Sequence, residues 1–188
     1  YVFGVVSIGV YGIMIGGWAS NNKYSLMGAI RASSQMISYE LAMGMAIIAL
    51  IMTTGTLSVR EIVEQQHGIH WNIFTQPLGV ILFIVCAFAE CNRTPFDLPE
   101  CETELVGGYH TEYSSMKFAM FFMSEYMNMF TFSAIMTTLF LGGFNAPLPM
   151  LNPFAELTLA HGLVGVAWFS LKVFLLISFM IFVRGTLP

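Results

Sequence analysis

Five long apolar runs alternate with short polar stretches along the chain. The runs cover residues 1–19, 27–54, 76–92, 117–142 and 162–183. Because an α-helix of about 20 apolar residues crosses the roughly 30 Å hydrocarbon layer of a bilayer, each run predicts a membrane-spanning helix. We therefore expect an all-α, polytopic transmembrane helical bundle with about five spans, forming a single integral membrane domain over residues 1–188.

Composition supports this interpretation. Hydrophobic residues make up 56% of the 188 residues and charged residues only 10%, whereas a soluble domain carries about 25% charged residues. The mean hydropathy is +0.73. These values exclude a disordered chain, a secreted disulfide scaffold and a nucleic-acid-binding protein. The three cysteines form no CxxC pair and, with the scattered histidines, match no zinc-ligand spacing, so we expect no metal site.

The start of the sequence predicts a fragment of a longer protein. Tyr1 already lies within an apolar run. Neither the basic region nor the small-residue cleavage site of a signal peptide accompanies this run.

The distribution of cations predicts the orientation in the membrane. Five successive spans place alternate loops on opposite sides, and the seven cations can be assigned accordingly. One side receives Lys23, Arg31, Arg93, Lys117 and Arg184. The other side receives Arg60 alone, and Lys172 falls within the last span. The positive-inside rule therefore places the acidic loop 93–115 on the cytoplasmic side, or on the matrix side in a mitochondrion.

Ionisable residues interrupt the predicted spans, where charge is costly and usually functional. They are Glu40, Glu90, Glu125 and Lys172. At 1.5 Å per residue, Glu40 and Glu125 lie about 12 to 13 Å deeper than the nearest cation on the same helix. Lys172 lies about 18 Å from Arg184 by the same count, near enough to mid-depth to pair with a glutamate. Glu90 lies only about 4 to 5 Å from Arg93, one helical turn away.

Two interpretations of these charges remain open. Seven of the eleven acidic residues lie between Glu90 and Glu125. Carboxylates that descend from an acidic loop to mid-membrane predict a series of proton-exchanging groups, because burial raises the pKa of a carboxylate towards neutrality. Alternatively, the charges form structural ion pairs that hold the bundle together, and Lys172 pairs statically or extends towards the interface.

One segment carries a specific resemblance to a known family. It covers Ala89–Glu100 and continues through Glu102, Glu104 and Tyr109 to Ser114. This segment resembles a signature of the membrane subunit at the heel of respiratory complex I. Bacterial members of this family are called the H subunit, and mitochondrial members NADH dehydrogenase subunit one. Similar blocks occur in the same order at Gly17–Tyr24, Ile37–Glu40, Phe121–Tyr126 and Val183–Pro188. The resemblance covers essentially the whole chain, while the family's first and last spans have no counterpart, as expected of a fragment.

The resemblance implies a subunit of NADH:quinone oxidoreductase that carries no redox centre or catalytic residue of its own. It would form part of the quinone-access chamber and link quinone reduction to proton pumping. Glu40, Glu90 and Glu125 would belong to the buried acidic path, to which the residue-level argument adds Lys172. The loop acids Asp97, Glu100, Glu102, Glu104 and Glu112 would face the quinone cavity, and Arg31 and Arg93 would balance charge near the quinone route. His110, beside Tyr109 in the acidic loop, is a candidate hydrogen-bond donor to a quinone or another ligand.

The same resemblance implies partners and a location. We expect no cofactor on this chain, with quinone as substrate and with FMN, NADH and iron–sulfur clusters in partner subunits. The partners would be the other membrane subunits, the iron–sulfur and quinone-site subunits of the peripheral arm, and the lipid bilayer, without nucleic acid. The location would be the bacterial cytoplasmic (inner) membrane, or the mitochondrial inner membrane.

Two alternatives stay open at the level of sequence. The first is the homologous membrane subunit of a hydrogenase or a ferredoxin-linked proton-pumping complex. The Pro95–Pro99 block and its acidic continuation favour the quinone enzyme over this alternative. The second is a free-standing ion antiporter or channel, which the buried charges alone would permit.

Overall fold

The computed structural model of the chain describes residues 1–67, 70–92, 96, 106–146 and 159–186. No β-strand occurs within these ranges, which confirms the all-α prediction. The elements in chain order are α1 (Val2–Val6), α2 (Ile8–Ala19), α3 (Lys23–Thr54), α4 (Val59–Gln65), α5 (Asn72–Thr75), α6 (Pro77–Glu90), a 3-10 turn (Gly108–His110), α7 (Ser115–Phe140) and α8 (Leu159–Thr186). Each predicted apolar run therefore contains a helix.

Three helical segments among the described residues are long and apolar enough to cross a membrane. They are Val2–Ala19, Lys23–Thr54 and Gly162–Thr186. Helix α6 is apolar but has only 14 residues. Helix α7 has 26 residues but is not among the three, since polar residues such as Glu125 and Asn128 lower its hydropathy. Large apolar side chains such as Leu41 and Phe182 are about 70% exposed, as expected of a helical membrane protein whose surface meets lipid or other subunits.

Local sequence signals explain several helix ends. Asn22 precedes α3, and its Oδ1 accepts a 3.0 Å hydrogen bond from the Tyr24 amide, so it acts as the N-cap. Gly55 ends α3 in a left-handed conformation (φ +70°), and its amide donates to the Ile51 carbonyl at 2.8 Å. Pro77 occupies the first position of α6, where its missing N–H costs nothing.

The first of two compact units contains the described residues within Tyr1–Met43, Val85–Asn128 and Arg184–Pro188. Helices α2 and α3 approach very closely in this unit, because a Cβ atom added to Gly17 would lie 2.2 Å from the Ala29 Cβ. The 3-10 turn packs just as closely on α3. A Cβ on Gly28 would lie 2.8 Å from the carbonyl carbon of Gly108. Close helix contacts through small residues are typical of membrane proteins.

The second compact unit contains the described residues within Gly44–Ile84 and Met129–Val183. Its core includes Phe83 and Phe140, whose rings lie 5.5 Å apart and are fully buried. Gly143, with φ +53°, allows the segment after α7 to pass over Val63, where a Cβ would come within 2.9 Å of a methyl group. The sequence predicts a single membrane domain over residues 1–188, and the described residues form these two compact units.

Candidate functional site: buried carboxyl groups and a buried ammonium

Among the predicted acids that the structure describes, Glu90 is the most deeply buried. It is the last residue of α6 and is 2% exposed. Its Oε2 has no hydrogen-bond partner within the described residues, and the carboxyl group of Glu40 lies close enough to act on it electrostatically. A buried carboxylate oxygen without a hydrogen-bond partner is costly, and protonation of the group lowers this cost. Its protonation therefore responds to any change in nearby charge.

Glu40 lies on α3, within the same unit as Glu90. It is half-buried, and its Oε1 accepts a hydrogen bond from the hydroxyl of Ser7. Ser7 occupies the junction of α1 and α2, and its hydroxyl also approaches the Phe3 carbonyl at 2.9 Å. Hydroxyls that bond to the backbone four residues earlier often bend helices, which accounts for the short interruption at this point.

Glu125 is the third buried acid of this unit. It lies on α7 and is 7% exposed. Its Oε1 accepts a 2.9 Å hydrogen bond from the hydroxyl of Tyr109, which is itself 2% exposed. Sequence reasoning named Tyr109 as part of the family signature and as a neighbour of His110, and it did not pair Tyr109 with Glu125, because nothing in a local pattern indicates which carboxylate a loop tyrosine will reach.

A groove of about 680 Å³ lies beside α3 in the first unit. It is lined by Ile30, Arg31, Ser34, Gln35, Ser38, Tyr39 and Phe96. Gln35 fixes one wall, since its amide donates to the carbonyls of Ala89 at 3.0 Å and Phe96 at 2.9 Å. The rings of Tyr39 and Phe96 meet edge to face at 5.2 Å. The groove thus combines aromatic surface with hydroxyl, amide and guanidinium groups, a composition typical of small-molecule sites.

Apart from Phe96, the described residues of the acidic loop lie at its C-terminal end. Glu112 is exposed, and its Oε1 accepts a 2.5 Å hydrogen bond from the side-chain amide of Asn22. The His110 ring packs against the rings of Phe118 and Phe122, at 5.1 Å and 6.0 Å. The remaining predicted residues of this region lie outside the described residues: Arg93, Asp97, Glu100, Glu102 and Glu104.

Lys172 lies on α8 in the second unit and is 7% exposed. Its ammonium donates three hydrogen bonds to backbone carbonyls that follow the end of α7, Leu141 at 2.7 Å, Gly143 at 3.0 Å and Asn145 at 2.7 Å. It also lies 4.7 Å from the centre of the Trp71 ring. The depth of Lys172 in its predicted span is compatible with a glutamate partner. Within the described residues, carbonyls take all three of its hydrogen bonds instead.

Buried amides organise the carbonyls around Lys172. The side-chain amide of Asn145 donates to the carbonyls of Val63 at 2.7 Å and Gln66 at 3.0 Å. The Oε1 of Gln66 accepts from the amide of Gly142 at 3.0 Å. Side-chain to backbone hydrogen bonds therefore tie the segment after α7 to the end of α4 and help to position its carbonyls around the ammonium. Sequence reasoning missed Gln66 and Asn145.

These features define a helical membrane protein with carboxyl groups and one ammonium buried in its helices. A protein-family model described as NADH dehydrogenase matches residues 1–188. The chain belongs to this family, which confirms the resemblance found in the sequence.

Curated relatives from several bacteria match the whole chain. It is 61% identical over 188 residues to the first H subunit of the NADH-quinone oxidoreductase of Cytophaga hutchinsonii, covering 100% of this chain and 54% of the relative. It is 56% identical over 189 residues to the H subunit of the Flavobacterium johnsoniae NADH-quinone oxidoreductase, again covering 100% of this chain and 54% of the relative. It is 54% identical over 188 residues to the first H subunit of the Geobacter sulfurreducens NADH-quinone oxidoreductase, covering 100% of this chain and 50% of the relative. The chain thus spans about half the length of the curated relatives it matches.

Proposed function

We propose that this chain is part of the membrane subunit of a proton-translocating NADH:quinone oxidoreductase, respiratory complex I. In this proposal it forms part of the quinone-access chamber and of a buried acidic path that couples quinone reduction to proton pumping. The names of the relatives support the quinone enzyme over a hydrogenase-type complex or a free-standing antiporter. The observation that carries the coupling role is that Glu40, Glu90 and Glu125 belong to three helices of one compact unit.

The chemistry of these three groups supports proton exchange. A carboxyl group can take up and release a proton without rearranging the backbone, and its proton affinity follows the charge around it. A change of one pKa unit corresponds to about 1.4 kcal/mol, so a modest change of charge in a nearby chamber is enough to move a proton. Glu90, whose Oε2 has no partner in the described part of the chain and which has Glu40 nearby, is the group on which such a change would act most strongly.

The groove beside α3 supports a contribution to the quinone chamber. Its aromatic surface suits the ring of a quinone, and the Arg31 guanidinium and the Ser34 hydroxyl offer donors to its carbonyl oxygens. By family resemblance, Arg93 and the loop acids Asp97, Glu100, Glu102, Glu104 and Glu112 belong to the same chamber. Arg31 and Arg93 would offset the negative charge of these acids.

The proposal extends to cofactors, partners and location. Quinone is the substrate, and FMN, NADH and the iron–sulfur clusters belong to partner subunits. This chain carries no redox centre. The partners are the other membrane subunits and the quinone-site subunits of the peripheral arm. The location is the bacterial cytoplasmic membrane, in keeping with the bacterial origin of the relatives.

Conservative substitution of the buried acids tests the acidic path. In the assembled complex, Glu40→Gln and Glu125→Gln keep the shape of the side chain but remove its exchangeable proton. We expect assembly to survive, while proton pumping and coupled quinone reductase activity fall by on the order of tenfold or more. Glu64→Gln is the control, because Glu64 lies on the short helix α4 and pairs with the exposed Arg60 at 2.7 Å. Wild-type activity in both of the first two variants would leave these carboxyls a structural role only.

Two further measurements address the quinone enzyme itself. Iron–sulfur subunits with NADH dehydrogenase activity should co-purify with the full-length protein, and inhibitors of the quinone site should block turnover of the intact complex. Co-purification of hydrogenase subunits instead would favour the alternative complex. A protein that purifies without redox subunits would favour an antiporter.

A further inference from the structure

Tyr109 connects the acidic loop to a buried carboxyl group. Its hydroxyl donates a 2.9 Å hydrogen bond to Glu125 Oε1, and both side chains are more than nine-tenths buried. The two residues are 16 positions apart, Tyr109 in the 3-10 turn that closes the loop and Glu125 within α7. Both belong to the first unit.

The backbone of Tyr109 is held tightly against α3. Its carbonyl accepts a 2.7 Å hydrogen bond from the buried hydroxyl of Ser25. The turn lies so close to Gly28 that a Cβ there would meet the Tyr109 nitrogen at 2.8 Å. Gly108 adopts φ +69°, a conformation that favours glycine and allows this approach. The phenol is therefore attached to a backbone that packs directly against α3.

The ring of Tyr109 has little freedom of its own. It meets the Phe121 ring edge to face at 5.5 Å, one helical turn before Glu125 on α7. It also meets the His110 ring at 5.1 Å. A ring packed on two sides cannot change rotamer without displacing its neighbours, so the hydroxyl moves only when the turn itself moves.

We propose that Tyr109 is a positioning residue for Glu125 and the group through which the acidic loop acts on it. The hydrogen bonds that a carboxyl group accepts govern how readily it exchanges a proton. A shift of the turn therefore changes proton exchange at Glu125 by lengthening or restoring this contact. The inference rests on the proposed function, because it gives Glu125 a place in a proton path.

The decisive experiment compares two tyrosines in the assembled complex. Tyr109→Phe removes the hydroxyl that reaches Glu125. Tyr113→Phe removes a hydroxyl that donates to the Gly16 carbonyl at 2.7 Å, from a ring that also packs on Phe121. We expect Tyr109→Phe to lower coupled quinone reductase turnover, per assembled complex, by on the order of threefold to tenfold. Tyr113→Phe should stay within about twofold of wild type.

Repeating Tyr109→Phe in the Glu125→Gln background separates positioning from general stability. A glutamine at this position has no carboxyl proton to exchange, so the second substitution should then have almost no further effect on turnover. A purely structural loss would instead be equally large in both backgrounds. That result, or a Tyr109→Phe enzyme that behaves like Tyr113→Phe, would overturn the inference and leave the acidic path intact. If Glu125→Gln alone is silent, the role proposed for Glu125 fails, and the inference fails with it.

Discussion

The buried ionisable residues differ in the chemistry of their partners. Glu40 and Glu125 accept hydrogen bonds from the hydroxyls of Ser7 and Tyr109, and Glu90 keeps an oxygen without a partner in the described structure. Such surroundings support the proton exchange that we propose for these carboxyl groups. Lys172, in contrast, donates to three backbone carbonyls. A backbone carbonyl accepts hydrogen bonds but does not take up the proton. Its geometry therefore favours a structural cation, although its membership in the proton path stays a prediction.

Substitution of Lys172 distinguishes these two roles. Lys172→Met keeps much of the volume but leaves three buried carbonyls at the C-terminal end of α7 without their donor, a loss of about 2 to 4 kcal/mol. We expect a lower thermal midpoint and a smaller yield of assembled complex, with turnover per complex little changed. Lys23→Met is the control, since Lys23 is exposed and its ammonium lies 5.4 Å from the centre of the Tyr24 ring. Normal stability with lost pumping would assign Lys172 to proton exchange.

At the scale of elements, the contact between α2 and α3 depends on glycine at one position. A Cβ on Gly17 would lie 2.2 Å from Ala29 Cβ and 2.9 Å from the Ser25 carbonyl oxygen, and backbone cannot yield to it easily. Gly12, on the same helix, has no atom within 4 Å of such a Cβ. The two glycines have the same chemistry, and only their neighbours differ.

This difference predicts opposite effects of the same substitution. Gly17→Ala should destabilise the protein by about 1 to 3 kcal/mol, because overpacking forces the helices apart. Gly12→Ala should be neutral or stabilising by up to about 1 kcal/mol, because alanine favours the helix. Thermal midpoints of the two purified variants give the comparison. Equal effects of the two substitutions would contradict a close α2–α3 contact at Gly17.

At the scale of the whole molecule, orientation in the membrane is the property that the cations predict. The excess of five cations against one predicts that loop 93–115 lies on the cytoplasmic side. Thr111 lies at the described end of this loop, and His67 lies in the polar stretch assigned to the opposite side. Cys86 and Cys91 are buried and should react poorly with a polar maleimide.

Cysteine labelling tests this orientation. A membrane-impermeant maleimide should not label Thr111→Cys in sealed right-side-out vesicles, whereas it should label His67→Cys. Inverted vesicles should give the opposite pattern. A Cys101→Ser background removes the remaining native thiol. Labelling of Thr111→Cys from outside would reverse the predicted orientation.

The local sequence determined the helices of this protein and the presence of charge within them. Runs of apolar residues report directly on the free energy of transfer into a membrane, so each predicted run contains a helix. Helix ends were less well predicted. The apolar run 27–54 omits the first turn of α3. The helix begins at Lys23 because Asn22 caps it, although the residues of this first turn are not all apolar. Glu40, Glu90 and Glu125 stood out because charge in such runs is rare.

Only the tertiary structure decided which groups these charges contact. Every residue has a backbone carbonyl, so no sequence pattern distinguishes Leu141, Gly143 and Asn145 as the acceptors for Lys172. These three carbonyls form a site because the turn after α7 directs all of them towards the Lys172 ammonium. Likewise, Tyr109 meets Glu125 because α3 holds the turn in place through Gly28, a contact between residues distant in sequence. Hydropathy is a property of each residue, whereas a hydrogen-bond partner is a property of two positions that only the folded chain brings together.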